Sequence, residues 1–130
     1  FEAQGELFTA AERAFLAVLD EAVGDHYRIM GQVRLADVIK VKGGLDRSSY
    51  GSAFNKIKGK HLDFVACDPS NMNVVFAVEL DASSHQRKDR RRRDEFLDQA
   101  MEAAGIPLFR FPVRQSYSAK KILQTIFPES

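Results

Sequence analysis

Two apolar runs flanking a knot of turn formers constrain this chain more than any other stretch. They are His61-Leu62-Asp63-Phe64-Val65-Ala66-Cys67 and Val74-Val75-Phe76-Ala77-Val78-Glu79-Leu80-Asp81, with Asp68-Pro69-Ser70-Asn71 between them. The pattern reads as a β-hairpin. A turn centred near Asn71 sets Asp63 opposite Glu79 and His61 opposite Asp81. Opposed residues, and residues two apart on one strand, share a face. His61, Asp63, Glu79 and Asp81 are therefore expected together at one end of the hairpin. The remaining positions are apolar on both faces, as in central strands covered from both sides. Carboxylates crowded into such a place resist ionising. A divalent cation is the simplest compensation; a purely structural alternative is neutralisation by Arg93 and nearby lysines.

The 130 residues suit one domain with one core, expected over 9–130 behind a lead-in at 1–8. A net charge of +1 gives no global reason for an acidic partner, so a nucleic-acid partner has to be argued from local charge. The single cysteine, Cys67, excludes an intrachain disulfide or a Cys-rich zinc site and reads as a small buried hydrophobe. No apolar run approaches the roughly 18 residues of a membrane span, so a cytoplasmic protein is expected. The chain opens on Phe1 rather than Met, which suggests a trimmed or processed product and leaves an upstream signal or anchor open.

Along the chain, Thr9-Ala10-Ala11-Glu12 is a capping box, and the stripe Phe15, Leu16, Leu19, Ala22, Val23 continues it as a helix to about Gly24. Glu12 also extends that stripe toward the interior, although capping alone accounts for it. Tyr27 to Ile39 reads as extended, with a bulge or break at Gly31. Ser48 is the expected cap of a short helix with the stripe Tyr50, Ala53, Phe54, Ile57. After the hairpin a helix begins near Arg87, with the stripe Phe96, Leu97, Ala100, Met101, Ala104 and a stop at Gly105 and Pro107. Projected backwards, the stripe brings Arg93 and Asp89 to the buried side. A strand at 107–111 and a helix from Ser118 to Phe127 close an α/β fold, a mixed sheet of about four strands flanked by helices.

Arg87, Lys88, Arg90, Arg91 and Arg92 oppose the macrodipole at the start of their helix, so they answer nearby carboxylates or face phosphates. With Lys56 and Lys58 they form the candidate nucleic-acid contact, DNA ahead of RNA. A solvated helix face is the plainer reading. Ser83 and Ser84 beside His85 lack the strand-to-helix elbow and oxyanion motif of a serine nucleophile, which is rejected.

Lys60-His61-Leu62-Asp63-Phe64-Val65, Val78-Glu79-Leu80-Asp81 through His85, Arg93-Asp94 and Ala104-Gly105-Ile106-Pro107 resemble the domain-of-unknown-function family 2726. The whole arrangement resembles the restriction-endonuclease-like, or PD-(D/E)XK, superfamily, and within it the very-short-patch-repair endonucleases. That resemblance implies a nuclease in which Asp63, Glu79 and the Leu80 carbonyl bind Mg²⁺ or Mn²⁺, and it adds Asp81 and His85 to the catalytic set. One position departs from the pattern: the usual lysine of Glu-x-Lys is Asp81. His85 is the first substitute; Lys60, Lys88 and Arg93 follow, with His61 as a further candidate, and Glu12 has a supporting place. The departure keeps open a catalytically silent nucleic-acid-binding or regulatory module. A purely structural interaction domain leaves the acidic face unexplained.

Overall fold

The computed structural model describes residues 1–81 and 88–129. Thr9 caps α1, Ala10–Val23: its hydroxyl accepts from the Glu12 amide while the Glu12 carboxylate accepts from the Thr9 amide. A 3₁₀ turn, Gly24–His26, leads into β1, Arg28–Arg34, and then into a single helical turn, α2, Leu35–Val38. Next come α3, Arg47–Ile57, and the hairpin strands β2, His61–Cys67, and β3, Val74–Asp81. The chain ends with α4, Lys88–Ala104, β4, Leu108–Pro112, and α5, Ala119–Ile126. The strands form one mixed sheet in the order β1-β2-β3-β4, antiparallel except for the parallel β3–β4 pair. Among the described residues no helix is long and apolar enough to cross a membrane.

Both faces of the sheet are covered. On one, Phe15, Leu19 and Val23 of α1 and Ile122 and Ile126 of α5 pack against Phe64, Ala66, Phe76, Val78 and Phe111. On the other, Leu97 and Met101 of α4, with Leu35 and Ile57, pack against Leu62, Val65, Cys67 and Ala77. Burial on both faces explains why the hairpin is apolar almost throughout. Cys67 is buried, as expected, and burial pushes its thiol up. Gly105, at φ 74°, closes α4: Ile106 donates back to Met101 and Gly105 to Glu102.

Four local expectations need correction. Leu35–Val38 is helical rather than extended, with Arg34 pairing to Asp37 at 2.8 Å across the turn. Asp46, not Ser48, caps α3, its carboxylate accepting from the Ser49 amide at 2.7 Å. Asp89 is exposed, while Arg93 is partly buried. Gly31 neither breaks the strand nor carries its irregularity, because it pairs with Phe64 and the left-handed residue is Gln32, at φ 52°.

Gly31 instead makes room for Phe8, a residue of the supposed lead-in whose ring lies 5.7 Å from that of Phe64. A Cβ at Gly31 would fall 2.2 Å from the Phe8 Cζ. Gly31→Ala should therefore expel the ring and cost about 1–3 kcal/mol in urea denaturation. Adding Gly31→Ala to Phe8→Ala should cost much less, because the clash is gone, and a double-mutant cycle reads that difference directly. Additive losses would mean that the two residues do not meet.

Candidate functional site

The β2–β3 register is Phe64↔Val78 and Val65↔Ala77, which continues to Asp63 opposite Glu79 as the Asn71-centred turn requires. A bulge between Ala66 and Cys67 absorbs one residue near the turn. Beyond Phe64↔Val78 the side chains take over the cross-strand bonding. The Asp63 amide donates to Glu79 Oε2 at 2.7 Å, and the Leu80 amide donates to Asp63 Oδ2 at 2.8 Å. Each carboxylate thus occupies a rung of the ladder between the strand ends.

A twist in β2 directs Asp63 there. Leu62 packs on the α4 face and Phe64 on the α1 face, although residues two apart normally share a side. In the partner strand Ile29 and Val33 divide the same way across the left-handed Gln32. Both strands therefore rotate at Gln32 and Asp63, and the simple alternation that grouped His61 with Asp63 fails. His61 is exposed and gives its backbone carbonyl to Arg93 at 3.2 Å. Its side chain is not among those lining the cleft that holds Asp63.

That cleft, about 530 Å³, opens between the first turns of α1 and α4 at the end of the sheet. Five carboxylates line it, from Glu12, Asp63, Glu79, Asp81 and Asp94, against two guanidiniums, from Arg90 and Arg93. Glu12 does both things its sequence position suggests: it caps α1 and faces the cleft, where Gln32 Nε2 donates to its free oxygen at 2.8 Å. Glu79 is only 3% exposed, the one buried charged residue among those described. Burial and the neighbouring Asp63 charge push its carboxyl up to about 7. Burial pushes Asp63 up as well; the Leu80 amide and Glu79 oppose the shift, and Glu12 adds to it.

Arg93 reaches Glu79 and Asp94 at 3.4 Å each. Asp81 turns away from Glu79 toward Arg110, at 3.3 Å, and Arg110 also holds Asp94 at 3.4 Å and Asp98 at 3.0 Å. Burial lowers the Arg110 pKa, but these three carboxylates outweigh it and raise the group above its usual range. The expected convergence of three carboxylates thus reduces to a close pair with Asp81 at the rim. Among the described residues no set of three or more His, Cys, Asp or Glu side chains is gathered around a cation position.

The donors nevertheless fit a hard divalent ion. Asp63 and Glu79, among the five carboxylates that line the cleft, supply carboxylate oxygens. Amide and carbonyl of one strand residue point the same way, so the Leu80 carbonyl faces β2 beside Asp63, as its amide does.

Of the residues proposed to stand in for the missing lysine, Arg93 is the described one that lines the cleft. Lys60 lies elsewhere, over the Phe96 ring at 4.9 Å and bonded to the Lys56 carbonyl. Lys88 is exposed on the first turn of α4, as are Arg91 and Arg92, while Arg90 is at the cleft. Lys56 and Lys58 are exposed at the end of α3. His85 and Arg87 lie outside the described residues. Arg110 had gone unnoticed, although a lone charge in the apolar strand Leu108-Phe109-Arg110-Phe111 was the available signal. It stands beside Glu79 in the parallel register.

Arg110→Met should leave Asp81, Asp94 and Asp98 facing one another and cost about 2 kcal/mol, reduced from the fully buried case because Asp98 is exposed. Arg110→Lys should recover only part of this, since one ammonium cannot replace a fork with three partners. Urea denaturation at pH 7 measures both; equal stability of wild type and Arg110→Met would mean the network contributes nothing.

No curated protein and no solved structure matches the chain. One family model, described as a protein of unknown function (DUF2726), matches residues 4–129. That match takes in Phe8 and both strands of the hairpin as well as the helices lining the cleft, and on it the chain belongs to the DUF2726 family.

Proposed function

We propose that the cleft is the centre of a metal-dependent nuclease of the restriction-endonuclease-like type, hydrolysing phosphodiester bonds in nucleic acid, DNA ahead of RNA. One observation carries this reading: two carboxylates, Asp63 and Glu79, are wedged between strand ends in a cleft that, among the described residues, is lined by five carboxylates and two guanidiniums. Groups held this far from their ordinary ionisation concentrate at functional sites. A bound Mg²⁺ or Mn²⁺ would activate water and stabilise charge on the reacting phosphate. Asp63, Glu79 and the Leu80 carbonyl are the residues that would hold it. Arg93, beside Glu79, is placed to neutralise charge developing on the phosphate, the role for which Asp81 has the wrong sign. Asp81 instead fixes Arg110 at the rim, and Glu12, held by Gln32, can orient water from the opposite wall. Lys88, Arg91 and Arg92 stand exposed on the flanking helix to meet phosphates outside the cleft.

One contact favours a second reading. Arg93 already answers part of the Glu79 charge, as it would in a silent binding module that kept the fold. Incubating the purified protein with single- and double-stranded DNA and RNA, with chelator or with millimolar Mg²⁺ or Mn²⁺, separates the two. Cleavage confined to the metal-containing reactions supports the nuclease. Intact substrates in every reaction, together with salt-dependent binding, support the silent module.

A further inference from the structure

A second cavity, about 650 Å³, lies away from the cleft, between α3, α4 and the segment that follows α2. Its floor is apolar, with Val41, Ile57 and Phe96, and its rim carries Lys40, Lys42 and Lys56. Among the described residues no carboxylate lines it. Among the described residues, none of these three ammonium groups has an ion pair or hydrogen-bond partner. Three cations left without counter-charge above an apolar floor complement a ligand that is anionic along one side and flat and apolar on the other. A nucleotide with its base unstacked has this character, whereas a duplex offers mainly its phosphates and keeps its bases stacked inside.

The groove and the cleft both have walls on α4. Arg93 lines the cleft and Ala100 lines the groove, seven residues apart on α4. At a rise of 1.5 Å per residue the two positions are about 10 Å apart along the helix, a span that a few nucleotides of a single strand can cover. Lys60 does not line the groove but neighbours two residues that do, lying over the Phe96 ring and bonded to the Lys56 carbonyl. We propose that this groove binds a single-stranded stretch of nucleic acid continuing from the cleft, with phosphates on Lys40, Lys42 and Lys56 and a base against Phe96. The proposal rests on the reading that the protein's partner is nucleic acid, but not on hydrolysis.

The test is fluorescence anisotropy in chelator with a labelled single strand and a duplex of equal length. The wild type should bind the single strand at least about fivefold more tightly. Lys40→Ala/Lys42→Ala/Lys56→Ala should weaken single-strand binding about tenfold or more. It should also reduce the salt slope by about 2, from about 0.7 per lost phosphate contact. The three lysines are exposed, so the melting temperature should not move, and the corresponding triple arginine variant should keep its affinity. The proposal is overturned if the triple alanine variant binds like the wild type, if duplex binds as well as single strand, or if oligoglutamate of equal charge competes as strongly as unlabelled strand. Metal-dependent cleavage, assayed separately, tells the two ideas apart. Lysine-dependent strand binding without cleavage removes the nuclease and keeps the groove; cleavage with lysine-independent binding does the reverse.

Discussion

Asp63→Ala and Glu79→Ala are each expected to lower metal-dependent hydrolysis by about three orders of magnitude or more. Each removes one of only two carboxylates in the proposed ligand set. Losing about 4 kcal/mol of transition-state stabilisation is a thousandfold in rate. The two variants should not be equal in other respects. The Asp63 carboxylate also accepts from the Leu80 amide, so Asp63→Ala frees a strand-end donor, whereas Glu79→Ala releases the Asp63 amide and deprives Arg93 of one of its partners. Asp81→Ala should cost far less, because that carboxylate serves Arg110 at the rim. Arg93→Ala should lower the rate while leaving metal affinity intact, and Arg93→Lys should restore part of it. Single-turnover rates on a labelled substrate, with metal affinity measured separately, resolve these effects. Identical residual rates in the Asp63 and Glu79 variants would identify a contaminating nuclease, and full activity in either would end the assignment.

How much of this was readable from the sequence depends on how local the determining interaction is. The capping box needs only Thr9 and Glu12, three residues apart, and the stop of α4 needs only Gly105 and its neighbours. The hairpin register follows from its turn residues, which is why Asp63 and Glu79 could be set opposite each other. Alternation then misled at a single point. It presumes a regular strand, and the left-handed Gln32 with the twist at Asp63 comes from packing on two faces that a period-two pattern cannot express. Phe8 fell outside any period because it precedes α1: its ring meets Phe64 on the face that α1 covers, through a contact between residues far apart in the chain. Leu35–Val38 is too short for a helical period to be distinguished from a strand. Arg110 depended on β4 docking parallel to β3 through the whole of α4, a pairing with no local signature.

Metal-free, the protein is expected to lose stability as pH rises from about 4.5 to about 7. The cause is Glu79, whose carboxyl is raised from 4.5 to about 7 in the fold by burial and by Asp63. A raised acid binds its proton more tightly folded than unfolded, so the stabilisation is complete below the unfolded value and disappears as pH passes the folded one. Asp63, raised in the same direction, adds to the trend. At 1.36 kcal/mol per unit the Glu79 part of the loss is about 3 kcal/mol, or roughly 10 °C in melting temperature for a domain of this size. Glu79→Gln should abolish most of this slope and melt above the wild type at pH 8 in chelator. It leaves no orphan, because Arg93 keeps Asp94 and the His61 carbonyl. Mg²⁺ or Mn²⁺ should reverse the order at pH 8. An ion bound only by the folded state adds about 2.7 kcal/mol at one hundred times Kd, and only the wild type has both ligands to hold it. Thermal melts of the two proteins from pH 4.5 to 8, with and without metal, measure all of this. If metal leaves the wild type unmoved and Glu79→Gln melts lower at pH 8, then Arg93 alone neutralises the pair, and the cleft is a structural ion cluster rather than a metal centre.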